Sequence, residues 1–272
     1  MTYSSTLQVQ AYREGDWRCS IILRGALAII ERDVKKMSRY KFFLIMRILS
    51  FIIQISVFGI VASSIVSFMN FYKFYLLGVY TSILFAMSTF TGYDVIEEAE
   101  DGLFDYYLSL PISRREFIIG KTISSGLTSL TYSIPMLIIV LALIGISNPL
   151  NVLVALFSAL LFALGVSGLI ISIAMIIKSA DISDIIFGVI STLLIRLSTV
   201  YYPLAVMPDY YKILAEVNPI THLSEFLRFL FLGANYSLPP EGSLIALIGL
   251  AAGSTSIAII VVEKAIEGGS WR

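Results

Sequence analysis

The sequence predicts an all-α integral membrane protein with six transmembrane helices, and three observations carry that prediction. Hydrophobic residues make up 57% of the 272 positions and charged residues only 14%, which is far too apolar for a soluble domain of this size. The apolar residues gather into six runs, each able to cross a hydrocarbon core of about 30 Å at about 1.5 Å per residue. Charged residues gather before and between these runs.

The remaining composition excludes more than it assigns. Nineteen basic and nineteen acidic residues cancel, so net charge offers no nucleic-acid partner and only the placement of charge is informative. A lone Cys19 rules out an internal disulfide framework, and a lone His222 argues against a histidine-based metal centre. The first residues are polar and charged, so no cleavable signal peptide is expected there.

In chain order, residues 1–19 read as a polar cytosolic tail. Residues 20–41 read as an amphipathic interfacial helix: Leu23, Leu27, Ile30, Val34 and Met37 share one face, while Arg24, Glu31, Arg32, Lys35 and Lys36 lie elsewhere. Glu31 and Lys35 have the spacing of a favourable helical ion pair. Lys35, Lys36, Arg39 and Lys41 read as a basic anchor to anionic lipid head groups. Residues 42–272 form the six-span domain, with runs at about Phe42 to Met69, Phe74 to Ile96, Lys121 to Ile146, Leu150 to Ile177, Ile185 to Tyr202 and Ser243 to Val262.

An even number of spans puts both termini on one side, and fourteen of the nineteen basic residues fall on that side. Lys73, Lys212 and Arg228 fall on the other, while Arg47 and Arg196 lie within apolar runs. The bias makes the termini cytosolic in a multi-pass protein of the cell membrane. Small residues recur at Ala155, Ala159, Ala163 and Ser167, and Gly249 with Gly253 forms a GxxxG pair. Both are read as packing surfaces within the protomer in preference to dimerisation.

The densest charge between two spans is the stretch from Glu97 to Lys121. Leu103, Tyr106, Tyr107 and Leu110 have helical spacing among Glu97, Glu98, Glu100, Asp101 and Asp105, which predicts a short amphipathic helix. Pro111 disfavours helical geometry at Leu110, and Ser113 with Glu116 makes a capping box that opens a new helix. The run of acid, Gly102, Leu108, Ser109, Leu110, Pro111, Ile112, Ser113, Arg114, Arg115, Glu116, Gly120 and Lys121 resembles the coupling segment of ABC-2 type transporter permeases. In that family an acidic, glycine-containing helix precedes an SP-S-R-E…GK turn and touches the ATPase subunit. Leu110 departs from the commoner residue at its position. The resemblance implies coupling roles for Glu98, Asp101, Gly102, Tyr106, Leu110, Pro111, Ser113, Arg114, Arg115, Glu116, Gly120 and Lys121.

A second match lies between Pro203 and Pro240. Asn218 is a preferred N-cap and Pro219 a preferred first helical residue, so a helix should start there with Leu223, Phe226, Leu227 and Leu230 on one face. Pro208 with Asp209 predicts an earlier start. Both segments are too short to span and should be half-buried or re-entrant at the external side. The stretch is similar to the ABC-2 pattern in which a proline-led helix precedes NP-T…E-LR…G, which implies an external gate containing Pro208, Asn218, Pro219, Glu225 and Arg228. The resemblance covers most of the chain from about residue 25 onward.

Catalytic motifs are missing. Gly120, Lys121 and Thr122 end like a phosphate-binding loop, but Arg115 stands where the loop requires glycine. The chain is therefore expected to bind no cofactor, with ATP and Mg held by a separate ATPase. Arg47, early in the first run, can snorkel to head groups. Arg196 falls about 16 Å into the fifth run at about 1.5 Å per residue, where it either faces the cavity of a dimer and lines the transport pathway, snorkels to the external surface or pairs with another helix. The resemblance implies the non-catalytic permease of an exporter for hydrophobic or amphipathic cargo. It also implies two ATPase subunits and a homodimer, or a heterodimer with a related permease. The alternative is a six-span channel or lipid-processing enzyme, which the scarcity of carboxylates at membrane depth disfavours. The SLPISRRE turn is closer to the drug and lipid efflux branch than to the polysaccharide branch.

Overall fold

The structure, a computed structural model, describes residues 29–33, 35–36, 41–66, 70–103, 114–145, 148–177, 179–233 and 238–267. All regular structure in these residues is helical. Residues 29–33 and 35–36 are helical. The first span is α1 (Lys41–Ile53), a π-helical stretch (Gln54–Gly59) and α2 (Ile60–Ile65). There follow α3 (Phe71–Glu100), α4 (Arg114–Ile144), α5 (Pro149–Ile177) and α6 (Ala180–Arg196). A 3-10 turn (Leu204–Val206) leads to α7 (Asp209–Val217), α8 (Pro219–Leu232) and α9 (Pro240–Glu267).

Five helices among the described residues are long and apolar enough to cross a membrane: Leu44–Ile65, Phe71–Glu100, Arg115–Ile144, Pro149–Ile177 and Pro240–Lys264. The chain is a multi-pass membrane protein. The predicted fifth run takes a different form. Its helix, α6, begins five residues early and stops at Arg196 after 17 residues, about 26 Å at about 1.5 Å per residue. Residues 197–202 are turn and bend, in which the carbonyls of Thr199 and Val200 accept from the Arg228 guanidinium, at 2.7 Å and 3.5 Å. Arg196 is therefore an exposed residue at a helix end and not a charge deep within a span.

α3 is the axis of the molecule. Its most apolar stretch is 83% buried, against 17% for the first span, which lies at the periphery. Small residues bring neighbours close to it. A Cβ on Gly92 would lie 2.9 Å from Cβ of Ile170, and one on Gly78 would lie 2.4 Å from the Val200 carbonyl oxygen. Ala155, Ala159, Ala163 and Ser167 on α5 are all buried within the chain, as their spacing predicts. The GxxxG pair does otherwise: Gly249 and Gly253 are exposed, and a Cβ on either meets nothing within 4 Å. α9 instead turns Leu250, Ala251 and Ser254 toward Gly165 and Gly168 of α5.

Hydroxyl groups tie the inner helices together. Thr91 donates to the Ser125 carbonyl at 3.1 Å while Ser125 donates back to the Thr91 carbonyl at 3.0 Å, so α3 and α4 are clasped by reciprocal bonds. Tyr80 and Ser133 meet at 3.4 Å farther along the same seam. Such bonds satisfy polar groups that have no water to turn to inside a bilayer.

Candidate functional site

Two polar clusters sit at opposite ends of α3. Phe74 and Glu98 mark them, 24 residues apart on the helix, about 36 Å at about 1.5 Å per residue.

The first cluster is built from three segments. α3 runs on to Glu100 before Asp101 and Gly102 close it: the Asp101 backbone amide donates to the Glu97 carbonyl at 2.9 Å, and Gly102 takes a left-handed φ of 75°. Glu97, Glu98 and Glu100 thus belong to the last turns of the second span, whereas the sequence places them in a separate surface helix. Glu100 reaches the start of α6, where its carboxylate accepts from the Ala180 amide at 2.8 Å. That acidic group satisfies a helix N-terminus whose N-cap residue, Ser179, makes no side-chain cap.

Glu98 faces inward. Its carboxylate receives Lys121 Nζ at 3.0 Å and Arg32 at 2.6 Å. Lys121 also reaches Asp33 at 3.4 Å, and Asp33 accepts from Ser124 at 2.7 Å. Lys36 completes the group, 3.0 Å from Asp94 and 3.7 Å from Glu98. Lys121, Glu98 and Asp33 are 1%, 5% and 8% exposed, so these ions stand only because each has partners. Burial alone would raise the Asp33 carboxyl, but Lys121, the Ser124 hydroxyl and Arg32 outweigh it and hold the group below its ordinary value.

The cluster corrects the reading of Lys36 as a head-group anchor, since a carboxylate on α3 has captured it. Lys35 does pair with Glu31, at 2.6 Å. Arg115 is exposed and paired with Glu263 near the end of α9, one guanidinium nitrogen lying 3.4 Å from the carboxylate. Glu116 is half-buried, Gly120 buried and Asp101 exposed. Tyr106, Leu110, Pro111 and Ser113 lie outside the described residues, as does the side chain of Arg114. Arg47 lines a cavity of about 660 Å³ together with Tyr93, Glu97, Asp181 and Asp184.

The second cluster surrounds Arg228, which is fully buried. Its guanidinium donates to Glu225 at 2.6 Å, to the Thr199 carbonyl at 2.7 Å and to the Phe74 carbonyl at 3.3 Å, and it lies 3.5 Å from the centre of the Phe74 ring. The helix that carries it starts as its sequence predicts. Asn218 accepts from the Ile220 amide at 3.0 Å, Pro219 is the first helical residue, and Leu223, Phe226 and Leu227 are buried. Asn218 does one thing more, donating to the Leu194 carbonyl at 2.7 Å and tying this start to α6. α7 begins after Pro208 as expected, with Asp209 paired to Lys212 at 2.7 Å. Glu225 and Arg228, two of the residues assigned to the external gate, are therefore a buried ion pair.

Sequence reasoning singled out Glu98, Lys121, Glu225 and Arg228 without their surroundings. It missed Asp33, Asp94 and Ser124. The available signal was the occurrence of acids and a lysine where apolar helices end, a place where an ion without a counter-ion is costly.

A family model described as ABC-2 type transporter matches residues 25–232, from the N-terminal helical segment through α8. A comparison with curated proteins gives no match. The match covers more than half of the chain and spans both polar clusters, and the chain belongs to the ABC-2 type transporter family as a membrane permease.

Proposed function

We propose that this chain is the permease of an ABC exporter, driven by ATP that two copies of a separate ATPase subunit bind with Mg and hydrolyse. In this reading two permeases, identical or related, enclose the pathway; α6 is the fifth of six spans and α9 the last, and α7 and α8 are short re-entrant helices at the external end. The termini and the Lys121 end are cytosolic, supported by the excess of Lys and Arg on that side. The cargo is hydrophobic or amphipathic.

The observation that carries the reading is the ion cluster. Residues 104–113 join α3 to α4, and both flanks of that segment are held in one buried network through Glu98 and Lys121. Arg32, Asp33 and Lys36 add the N-terminal helical segment to the same body. A displacement of residues 104–113 by a docked ATPase must either move these three segments together or separate buried ions, at several kcal/mol per ion. Moving together costs less. The push then reaches the second and third spans as a rigid-body shift, the kind of motion alternating access requires. Glu98 and Lys121, being buried, act by positioning, and Tyr106, Arg114 and Arg115 supply the docking side chains.

The test is a triple replacement of Tyr106, Arg114 and Arg115 by alanine. Insertion should be unchanged, transport should fall and ATPase retention during purification should weaken, each truncation costing about 1 kcal/mol or more of docking energy. Full transport with undiminished ATPase retention would overturn the assignment.

A further inference from the structure

The end of α6 carries a feature that coupling does not use. Arg196, Leu197, Tyr202, Val206, Met207 and Tyr211 line a cavity of about 460 Å³, within the usual range for small-molecule sites of about 300–1,000 Å³. Its walls are apolar apart from two tyrosines and one cation. The Arg196 guanidinium lies 5.3 Å from the Tyr201 ring centre, and no carboxylate among the described residues pairs with it. Of the acids on α7 and α8, Asp209 pairs with Lys212 at 2.7 Å and Glu225 with Arg228 at 2.6 Å, while Glu216 is exposed to solvent. The Tyr202 hydroxyl donates to the Arg196 carbonyl at 2.6 Å, holding ring and helix end together.

A guanidinium at the mouth of an apolar cavity selects for anions, because its planar donors match a carboxylate or phosphate and its weak hydration lowers the cost of leaving water. The apolar walls select for a chain. We propose that this cavity binds a singly anionic amphiphile, with its carboxylate or phosphate head on Arg196 and its apolar part along Leu197, Val206 and Met207. The proposal deepens the exporter reading and rests on it for the assignment of this end as external. The ligand is either cargo leaving the pathway or an anionic lipid of the outer leaflet.

The experiment uses the purified permease alone in phosphatidylcholine nanodiscs, so its failure leaves the ATPase docking test untouched. The probe is dansylaminoundecanoate, followed by fluorescence and compared with its uncharged methyl ester. Wild type should bind the acid saturably and at least ten-fold more tightly than the ester, a comparison that needs no variant. Arg196→Gln should abolish that preference, and Arg196→Lys should keep part of it. Replacing a third of the lipid by phosphatidylglycerol separates the sources: displacement of the probe assigns the site to lipid, and retention assigns it to free amphiphile. Equal binding of acid and ester by wild type, or an unchanged preference in Arg196→Gln, would overturn the proposal.

Discussion

Arg228 is a full charge with no exposure to solvent, and its surroundings explain how it is tolerated. Glu225 neutralises it, three backbone carbonyls and the Thr199 hydroxyl accept from it, and the Phe74 ring covers one face. Removing only the cation leaves Glu225 buried without its counter-ion, so Arg228→Leu should cost about 3–5 kcal/mol, read as a lower unfolding temperature in detergent. Replacing Glu225 as well should recover part of that loss; a double variant no better than the single would show that charge burial is not the cause. Asp33 supplies a second test. Its carboxyl is held below its ordinary value in the folded chain, so its ion pairs contribute fully above the unfolded value of about 4 and are lost as pH falls through the folded value. Hydrogen exchange over residues 29–36 should be flat from pH 5 to 8, after correction for intrinsic rates, and should accelerate below about pH 4. In Asp33→Asn that acid step should shrink.

The helices differ in how much of them could be read in advance. Long apolar runs announce spans, and the Asn218–Pro219 pair announces a helix start, because both signals are local and the structure honours them. Asn218→Ala should loosen α8 by about 1 kcal/mol, seen as faster hydrogen exchange from Ile220 to Leu230. The added bond from Asn218 to the Leu194 carbonyl predicts that the end of α6 loosens with it; exchange confined to α8 would show that this tie carries no stability. The end of α6 at Arg196 was not legible, since the local stop signal, Pro203, lies beyond it. The last carbonyls of α6 are taken instead by groups beyond the helix, Leu194 by Asn218 and Arg196 by the Tyr202 hydroxyl, and Arg228 holds the Thr199 and Val200 carbonyls of the turn that follows. The same holds for the ion cluster: Asp33, Glu98 and Lys121 are each ordinary charges at the edge of an apolar helix, and only the packing of three segments makes them one buried network. Gly249 and Gly253 failed in the opposite sense. Their local signal is strong, yet α9 turns a different face to α5.

For the whole molecule, α3 links the two clusters: one end is locked to the segment proposed to meet the ATPase, and the other to the helices proposed to gate the exit. A single rigid element between them gives a mechanical reason for a displacement at the Lys121 end to be felt at Arg228, about 36 Å away. That account depends on residues 104–113 touching the ATPase, which one measurement addresses directly. A benzoylphenylalanine placed at Tyr106, irradiated in native membranes, should yield an adduct that mass spectrometry identifies as a P-loop ATPase, while the same probe at Tyr211 should yield none. No adduct from position 106, or an equal one from position 211, would contradict the account.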